Sequence, residues 1–90
     1  MKPAWKSFLS LCLKTKNTDE LSKLFELFFT QEERESLADR YTIIQALLEN
    51  KLTQRDIAEK YRVSIAKITR GSNELKSMDS KLKMFLEENM

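Results

Sequence analysis

The sequence predicts an all-α fold, and three features of its composition and patterning lead to that prediction. The 90 residues include one glycine and one proline, which leaves little of the turn chemistry that a sheet of short strands needs. Apolar residues recur three and four positions apart, and no stretch alternates with a period of two for long. With 41% hydrophobic and 33% charged residues, the chain has the composition of one small domain over residues 1–90.

Such a short chain needs a source of stability beyond its own core. It buries only about 60–65% of its unfolded surface, and small domains commonly add disulfides, metals or partner subunits. The single cysteine, Cys12, and the lack of histidine exclude a disulfide framework and the usual zinc sites, so association between copies is left. One cysteine suits a reducing cytoplasm, and no apolar run approaches the ~20 residues that span a bilayer. We therefore expect a cytoplasmic protein without a membrane segment.

The first two helices follow from apolar spacing. Trp5, Phe8 and Leu9 lie on one face of a first helix. The second helix is expected to start at Thr18, before two acidic residues that suit a helix N-terminus, and it contains LSKLFELFF (Leu21–Phe29). That segment is apolar on nearly every side and must be buried all round. Because 90 residues can hardly enclose it, we expect a second copy of the chain to do so.

A capping box starts the long third helix. The Thr30 hydroxyl and the Glu33 carboxylate can each accept a hydrogen bond from the other residue's backbone N–H. We expect this helix to end near Asn50, a residue that tolerates the left-handed conformation. Its apolar spacing predicts a core stripe of Leu37, Tyr41, Ile44 and Leu48.

Two short capped helices follow with the spacing of a helix-turn-helix over about residues 53–76. Thr53 is placed to cap a helix that ends at Lys60, and Ser64 to cap the next one after a tight turn. Arg62 occupies a position in that turn where glycine is common. A left-handed backbone conformation there would cost a non-glycine residue about 1 kcal/mol. The residues that would let the two helices cross closely and fill the angle between them are Ala58, Val63 and Ile68. A last short helix passes through Leu82, Phe85 and Leu86.

The helix-turn-helix segment is also the basic part of the chain. Residues 51–76 hold seven of the 16 basic residues but three of the 14 acidic ones, so this third carries +4 and the remainder −2. In a DNA-binding helix-turn-helix the second helix enters the major groove, and its first turn would project Ile65, Ala66 and Lys67 outward. The alternative is a structural helical hairpin that touches no nucleic acid.

No enzyme signature is present. Nucleophilic catalysis lacks its usual activating partner without histidine. The carboxylate clusters at residues 32–35 and 87–88 are typical of a solvated helix face, because neighbouring residues on a helix point apart. We expect no catalytic or metal site.

Three segments resemble the Trp repressor family: ITRGSNELK (Ile68–Lys76), LTQRDIAEKY (Leu52–Tyr61) and FTQEERESLADRYTII (Phe29–Ile44). The resemblance covers about Leu21 to Glu88. It implies a six-helix intertwined homodimer that represses transcription, reads palindromic double-stranded operator DNA and uses L-tryptophan as corepressor, with no other cofactor.

The resemblance also implies a ligand pocket between the third helix and the recognition helix. Arg40 and Arg70 match the two arginines that sandwich the indole ring, a use that suits the planar guanidinium, and Arg70 also matches the partner of the ligand carboxylate. Glu74 stands where the best-known members have a serine near the ligand amino group. The part of the pocket that the other subunit supplies matches Leu27, Phe29 and Thr30.

Gly71 is the only glycine, and it falls inside a predicted helix, where it costs roughly 1 kcal/mol relative to alanine. The resemblance places it in the pocket, where a Cβ would obstruct a flat ring that approaches the helix backbone. The alternative is that two helices simply pass close together there.

For DNA, the positions that match family contacts to phosphates or base edges are Gln54, Arg55, Ile65, Ala66, Lys67, Thr69 and Lys76. Arg55 is the expected guanine contact, because a bidentate fork to guanine contributes about 1–3 kcal/mol of discrimination. Lys67 stands where the family more usually has a small hydroxyl residue, and Ala58 replaces a basic residue. Two alternatives are a helix-turn-helix regulator without tryptophan control and a helical protein-interaction module.

Overall fold

The computed structural model describes residues 2–90 and, over that range, contains six α-helices and no β-strand. The helices are α1 (Pro3–Leu13), α2 (Thr18–Phe28), α3 (Gln31–Glu49), α4 (Gln54–Tyr61), α5 (Ile65–Ser77) and α6 (Ser80–Asn89). The prediction of an all-α chain with six helices is confirmed, and α4 and α5 form the helix-turn-helix. No helix within the described range is long and apolar enough to cross a membrane.

Side-chain caps define the starts of α2 and α3. The capping box is confirmed: the Glu33 carboxylate accepts from the backbone N–H of Thr30 at 2.9 Å, and the Thr30 hydroxyl accepts from that of Glu33 at 3.1 Å. The start of α2 at Thr18 is as predicted, and its cap is the preceding residue, Asn17. Asn17 has an extended backbone and accepts from the N–H of Glu20 at 2.9 Å, whereas Thr18 already lies inside the helix.

The helices of the helix-turn-helix are capped as predicted. The Thr53 hydroxyl accepts from the N–H of Asp56 at 3.1 Å, and the Ser64 hydroxyl from that of Lys67 at 3.2 Å. Each such cap is worth about 1 kcal/mol. Between the two helices Arg62 has φ 55° and ψ 46°, the left-handed conformation expected for the turn.

The described chain divides into two compact units, one up to Glu35 and the other Ser36–Met90. The first unit is built around aromatic rings. Phe8 contacts Trp5, Phe25, Phe28 and Phe29 with ring centroids 5.2–6.1 Å apart. Nevertheless, neither α1 nor α2 contains a buried residue, and the Phe28 side chain is 54% exposed. The cluster is therefore a surface layer rather than a closed core.

The second unit holds the buried core of the described chain. Its buried residues come from three helices: Ile43 and Ala46 of α3, Ile57 of α4 and Ile68 of α5. The side chains that pack around them are Leu47, Leu52, Ala58 and Val63. Burial of each large apolar side chain contributes about 1.5–3 kcal/mol. The core thus holds the helix-turn-helix on the C-terminal half of α3. Within it, Ala58, Val63 and Ile68 pack in or against the core, as predicted for the crossing of α4 and α5.

The core stripe predicted for α3 is wrong for its N-terminal half in the single chain. Leu37 and Tyr41 are each 52% exposed, whereas Ile43 and Ala46 are buried. The physical reason is that α4 and α5 pack on the face of Ile43 and Ala46, and each step of one residue turns a helix by about 100°. Of the predicted stripe, Leu37 and Tyr41 stay largely open to solvent, whereas Ile44 and Leu48 are half-buried.

Candidate ligand cavity and nucleic-acid interface

A small cavity lies between α3 and α5, in the second compact unit. Its lining consists of Arg40, Ile43 and Ile44 from α3 and Lys67, Arg70, Gly71 and Glu74 from α5. Four residues that the resemblance assigned to the ligand are therefore brought together by the packing of these two helices: Arg40, Arg70, Gly71 and Glu74. The apolar floor and charged rim would suit a small ligand that is both aromatic and charged.

The cavity is too small to enclose such a ligand as it stands. Its volume is about 40 Å³, whereas pockets for small molecules usually measure about 300–1,000 Å³. A single water occupies about 30 Å³ in the liquid. A ligand of the size of an amino acid would therefore need α5 to move away from α3, or would need walls from outside this unit.

The three remaining ligand residues of the prediction lie in the other compact unit. Leu27 and Phe29 are at the C-terminal end of α2, and the Leu27 side chain is 79% exposed. Thr30 precedes α3, with its hydroxyl bonded to the backbone N–H of Glu33. Their assignment to the ligand remains a prediction.

The surroundings of Gly71 give it a packing role without any ligand. A Cβ built on Gly71 would lie 3.2 Å from Cγ2 of Ile43 and 3.7 Å from Cδ1 of Leu47. The first distance is shorter than ordinary van der Waals contact, and Ile43 is only 1% exposed. The alternative in which two helices pass close together therefore has direct geometric support. Gly71 also lines the cavity, so the ligand interpretation is compatible with the same geometry.

Two ion pairs stand at the rim of the cavity. Nε of Arg70 lies 3.7 Å from Oε1 of Glu74 one turn later on α5, with side chains 74% and 69% exposed. Nζ of Lys67 lies 3.6 Å from Oδ2 of Asp39 and so connects α5 to α3. Exposed pairs of this kind are worth only about 0–1 kcal/mol. Both cations can therefore change partner when an anion approaches.

The sequence did not mark Asp39 as a functional residue. Its partner lies on another helix, and no local spacing links the two positions. The sequence feature that pointed to this region was Lys67 itself, a lysine where the family more usually has a small hydroxyl residue, in the exposed first turn of α5.

The seven residues predicted to contact DNA are all exposed on α4 and α5: Gln54, Arg55, Ile65, Ala66, Lys67, Thr69 and Lys76. The Thr69 hydroxyl donates to Oε1 of Gln54 at 3.4 Å, so these two residues adjoin across the helix crossing. The Ser64 cap sets the first turn of α5, in which Ile65, Ala66 and Lys67 follow one another. Three of the seven residues are basic, namely Arg55, Lys67 and Lys76, and exposed basic side chains can contact phosphates.

Comparison with known proteins gives consistent matches over nearly the whole chain. A family model described as Trp repressor protein matches residues 3–90. A Trp operon repressor homolog of Chlamydia trachomatis serovar D is 56% identical over 84 residues, which cover 93% of this chain and 89% of that protein. Its counterpart in Chlamydia caviae is 57% identical over 83 residues, covering 92% and 82%. Another from Vibrio parahaemolyticus is 40% identical over 88 residues, covering 93% and 85%.

Proposed function

The chain belongs to the Trp repressor family, and from this premise we propose that it is a DNA-binding repressor of transcription that responds to L-tryptophan. The family is one of transcriptional repressors rather than of enzymes. One observation carries the proposal. Helix α5 lines the cavity with Arg70 and Gly71 and carries exposed Ile65 and Ala66 in its first turn. A ligand in that cavity would therefore act directly on the element that reads DNA.

The mechanism follows from the size of the cavity. Because about 40 Å³ cannot hold an indole ring, a bound ligand would separate α5 from α3 and change the tilt of α5. The ligand can shift the equilibrium only by its difference in affinity for the two tilts. In a dimer, the correct tilt would let both copies of α5 enter successive major grooves, about 34 Å apart as in other helix-turn-helix dimers.

Within this mechanism each ligand residue has a distinct role. Arg40 and Arg70 would flank the indole ring from α3 and α5, and Arg70 would also pair with the carboxylate. Gly71 would let the ring approach the backbone of α5. The far wall would come from Leu27, Phe29 and Thr30 of a second copy, since the cavity of one unit is too small to be the whole site.

A homodimer is supported by the apolar surface that one chain leaves open. None of the residues of α1 and α2 is buried, and several large apolar side chains there and on α3 are more than half exposed: Leu13, Leu27, Phe28, Leu37 and Tyr41. Each of the two units thus exposes large apolar side chains, and exposed apolar surface of this kind often marks a protein–protein contact. Light scattering on the purified chain should give the mass of two copies, and a stable monomer would contradict the proposed assembly.

For DNA, we assign Arg55 to a guanine edge and the other exposed residues of the helix-turn-helix to phosphates and neighbouring bases: Gln54, Ile65, Ala66, Lys67, Thr69 and Lys76. The net charge of +4 on residues 51–76 supports this assignment, because phosphate contacts supply much of the affinity of such proteins. The lone cysteine and the DNA ligand both fit a protein that works in the cytoplasm.

The test is DNA binding with and without L-tryptophan. A palindromic operator would first be selected from a pool of random duplexes, and its affinity then measured by gel shift. L-Tryptophan should strengthen binding by about tenfold or more, the usual range of allosteric coupling being 5–150-fold. Arg70→Ala should lose the response to tryptophan, Arg55→Ala should lose operator binding while still binding tryptophan, and Lys81→Ala on α6 serves as the charge-matched control. Equal DNA binding with and without tryptophan would contradict the corepressor role.

One observation keeps a second candidate function in view, a helix-turn-helix regulator without tryptophan control. Glu74 lines the cavity and pairs with Arg70, so that its carboxylate competes with a ligand carboxylate for the same guanidinium. Calorimetry with L-tryptophan separates the two functions, because only the first requires heat of binding.

A further inference from the structure

The ion pair between Lys67 and Asp39 lies where the ligand cavity meets the DNA-reading surface. Lys67 lines the cavity and belongs to the first turn of α5. Its ammonium lies 3.6 Å from the Asp39 carboxylate on α3. The two side chains are 52% and 46% exposed, so water and mobile anions reach both of them.

Such a position offers Lys67 two partners that exclude each other. The neighbouring residues of the first turn, Ile65 and Ala66, are exposed, and a lysine there can reach a DNA phosphate. Lysine has a compact ammonium on a flexible stem, and it serves as a point charge for one anion at a time. While Asp39 holds that ammonium, the ammonium contributes little to the binding of a DNA phosphate.

The other charges around Lys67 do not offer it a second carboxylate at this distance. Glu74, the acidic residue in the cavity lining, is paired with Arg70. Arg40 and Arg70 are cations that line the same cavity and repel the ammonium. Within the described residues, Asp39 is thus the anionic partner that the geometry gives to Lys67.

We propose that Asp39 is a positioning residue that sets DNA specificity: it holds Lys67 against α3 and thereby lowers the affinity for DNA of arbitrary sequence. The inference rests on the proposed DNA binding of the helix-turn-helix. Binding to arbitrary DNA depends on neutralised phosphates, and a repressor must find its operator among a large excess of such sites. Because the pair is exposed, release of the lysine from the carboxylate has only a small cost, and the contacts of an operator complex compensate for that cost better than those made to arbitrary DNA.

The test measures binding to a duplex without operator sequence, in the absence of tryptophan, over a series of salt concentrations. Asp39→Asn removes the charge and keeps the shape of the side chain. It should strengthen binding severalfold and steepen the slope of log K against log salt by about 0.9 for each chain, the value for one more neutralised phosphate. Asp39→Glu keeps a carboxylate and should behave like the wild type.

Two controls separate a partner effect from a simple change in charge. Asp56→Asn removes one negative charge from an exposed position in the first turn of α4, and its effect should not depend on Lys67. In a Lys67→Gln background, Asp39→Asn should change affinity and slope no more than Asp56→Asn does. Circular dichroism and thermal unfolding of each variant confirm that the fold is retained.

The possible outcomes separate this inference from the proposed function. The inference would be overturned if Asp39→Asn changed DNA affinity equally in the wild-type and Lys67→Gln backgrounds, or if Asp39→Asn left the slope of log K against log salt unchanged. In either case the proposed function would stand. If the wild-type chain bound neither this duplex nor, with L-tryptophan present, any duplex from the random pool, the proposed function would fall and this inference with it.

Discussion

Replacement of Gly71 by alanine tests whether α5 packs as closely on α3 as the structure indicates. The added methyl group would lie 3.2 Å from Cγ2 of Ile43 and 3.7 Å from Cδ1 of Leu47. Ile43 is 1% exposed and belongs to the core with Ala46 and Ile68, so it has little freedom to move. The substitution should therefore force α5 outward by a few tenths of an ångström or displace Ile43 from its rotamer.

Two opposing effects set the magnitude. Alanine in a helix interior is favoured over glycine by about 1 kcal/mol, whereas an extra methyl group in a packed core costs about 1–3 kcal/mol. The net expectation for Gly71→Ala is a loss of about 0–2 kcal/mol, although helix propensity alone predicts a gain. For a chain of this length about 1 kcal/mol shifts Tm by roughly 4–8 °C.

Thermal and urea unfolding at a fixed protein concentration provide the assay, because association between copies makes Tm depend on concentration. Asn73→Ala is the matched control: it lies two positions further along α5, is exposed, and reports helix propensity without the contact. Ile43→Leu moves the branch away from Cβ and should restore part of the stability of Gly71→Ala. A Gly71→Ala chain that is about 1 kcal/mol more stable than the wild type, the gain expected from helix propensity alone, would refute the packing argument.

Three further substitutions follow from local geometry. Arg62→Gly should stabilise the chain by about 0–1.5 kcal/mol, because the left-handed conformation at φ 55° costs a non-glycine residue about 1–2 kcal/mol and the entropy of glycine offsets about 0.5–1 kcal/mol of that. Thermal unfolding checks it, and a loss of stability would argue against the left-handed turn. Ser64→Ala should lower the free energy of unfolding by about 1 kcal/mol and weaken operator binding, since the hydroxyl caps α5 through the N–H of Lys67. Ser64→Asp should retain the cap. A Ser64→Ala chain as stable as the wild type would count against the capping role. Glu74→Gln should strengthen binding of indole-3-propionate, which has a carboxylate but no ammonium, by about tenfold or less. The gain should be larger than that for L-tryptophan. Calorimetry with both compounds measures the ratio of their affinities, and an unchanged ratio would show that Glu74 does not act on the ligand carboxylate.

The sequence by itself determined the helices and their ends. The caps at Thr30, Thr53 and Ser64 and the left-handed residues Asn50 and Arg62 were all found where the sequence predicted them. These features depend on backbone groups and side chains within about four residues of one another, so a short stretch contains all the information. Helix α2 likewise begins at Thr18 as predicted, with Asn17 as its cap.

Only the tertiary structure decided which faces of those helices are covered and which distant residues meet. It buried Ile43 and Ala46 in place of Leu37 and Tyr41, gave Gly71 a packing contact with Ile43, and brought Asp39 to Lys67. Apolar spacing marks a helix as amphipathic, but several adjacent faces of α3 are apolar enough to pack. The choice among them depends on where α4 and α5 return after the turn, and that is set by contacts between residues far apart in the chain.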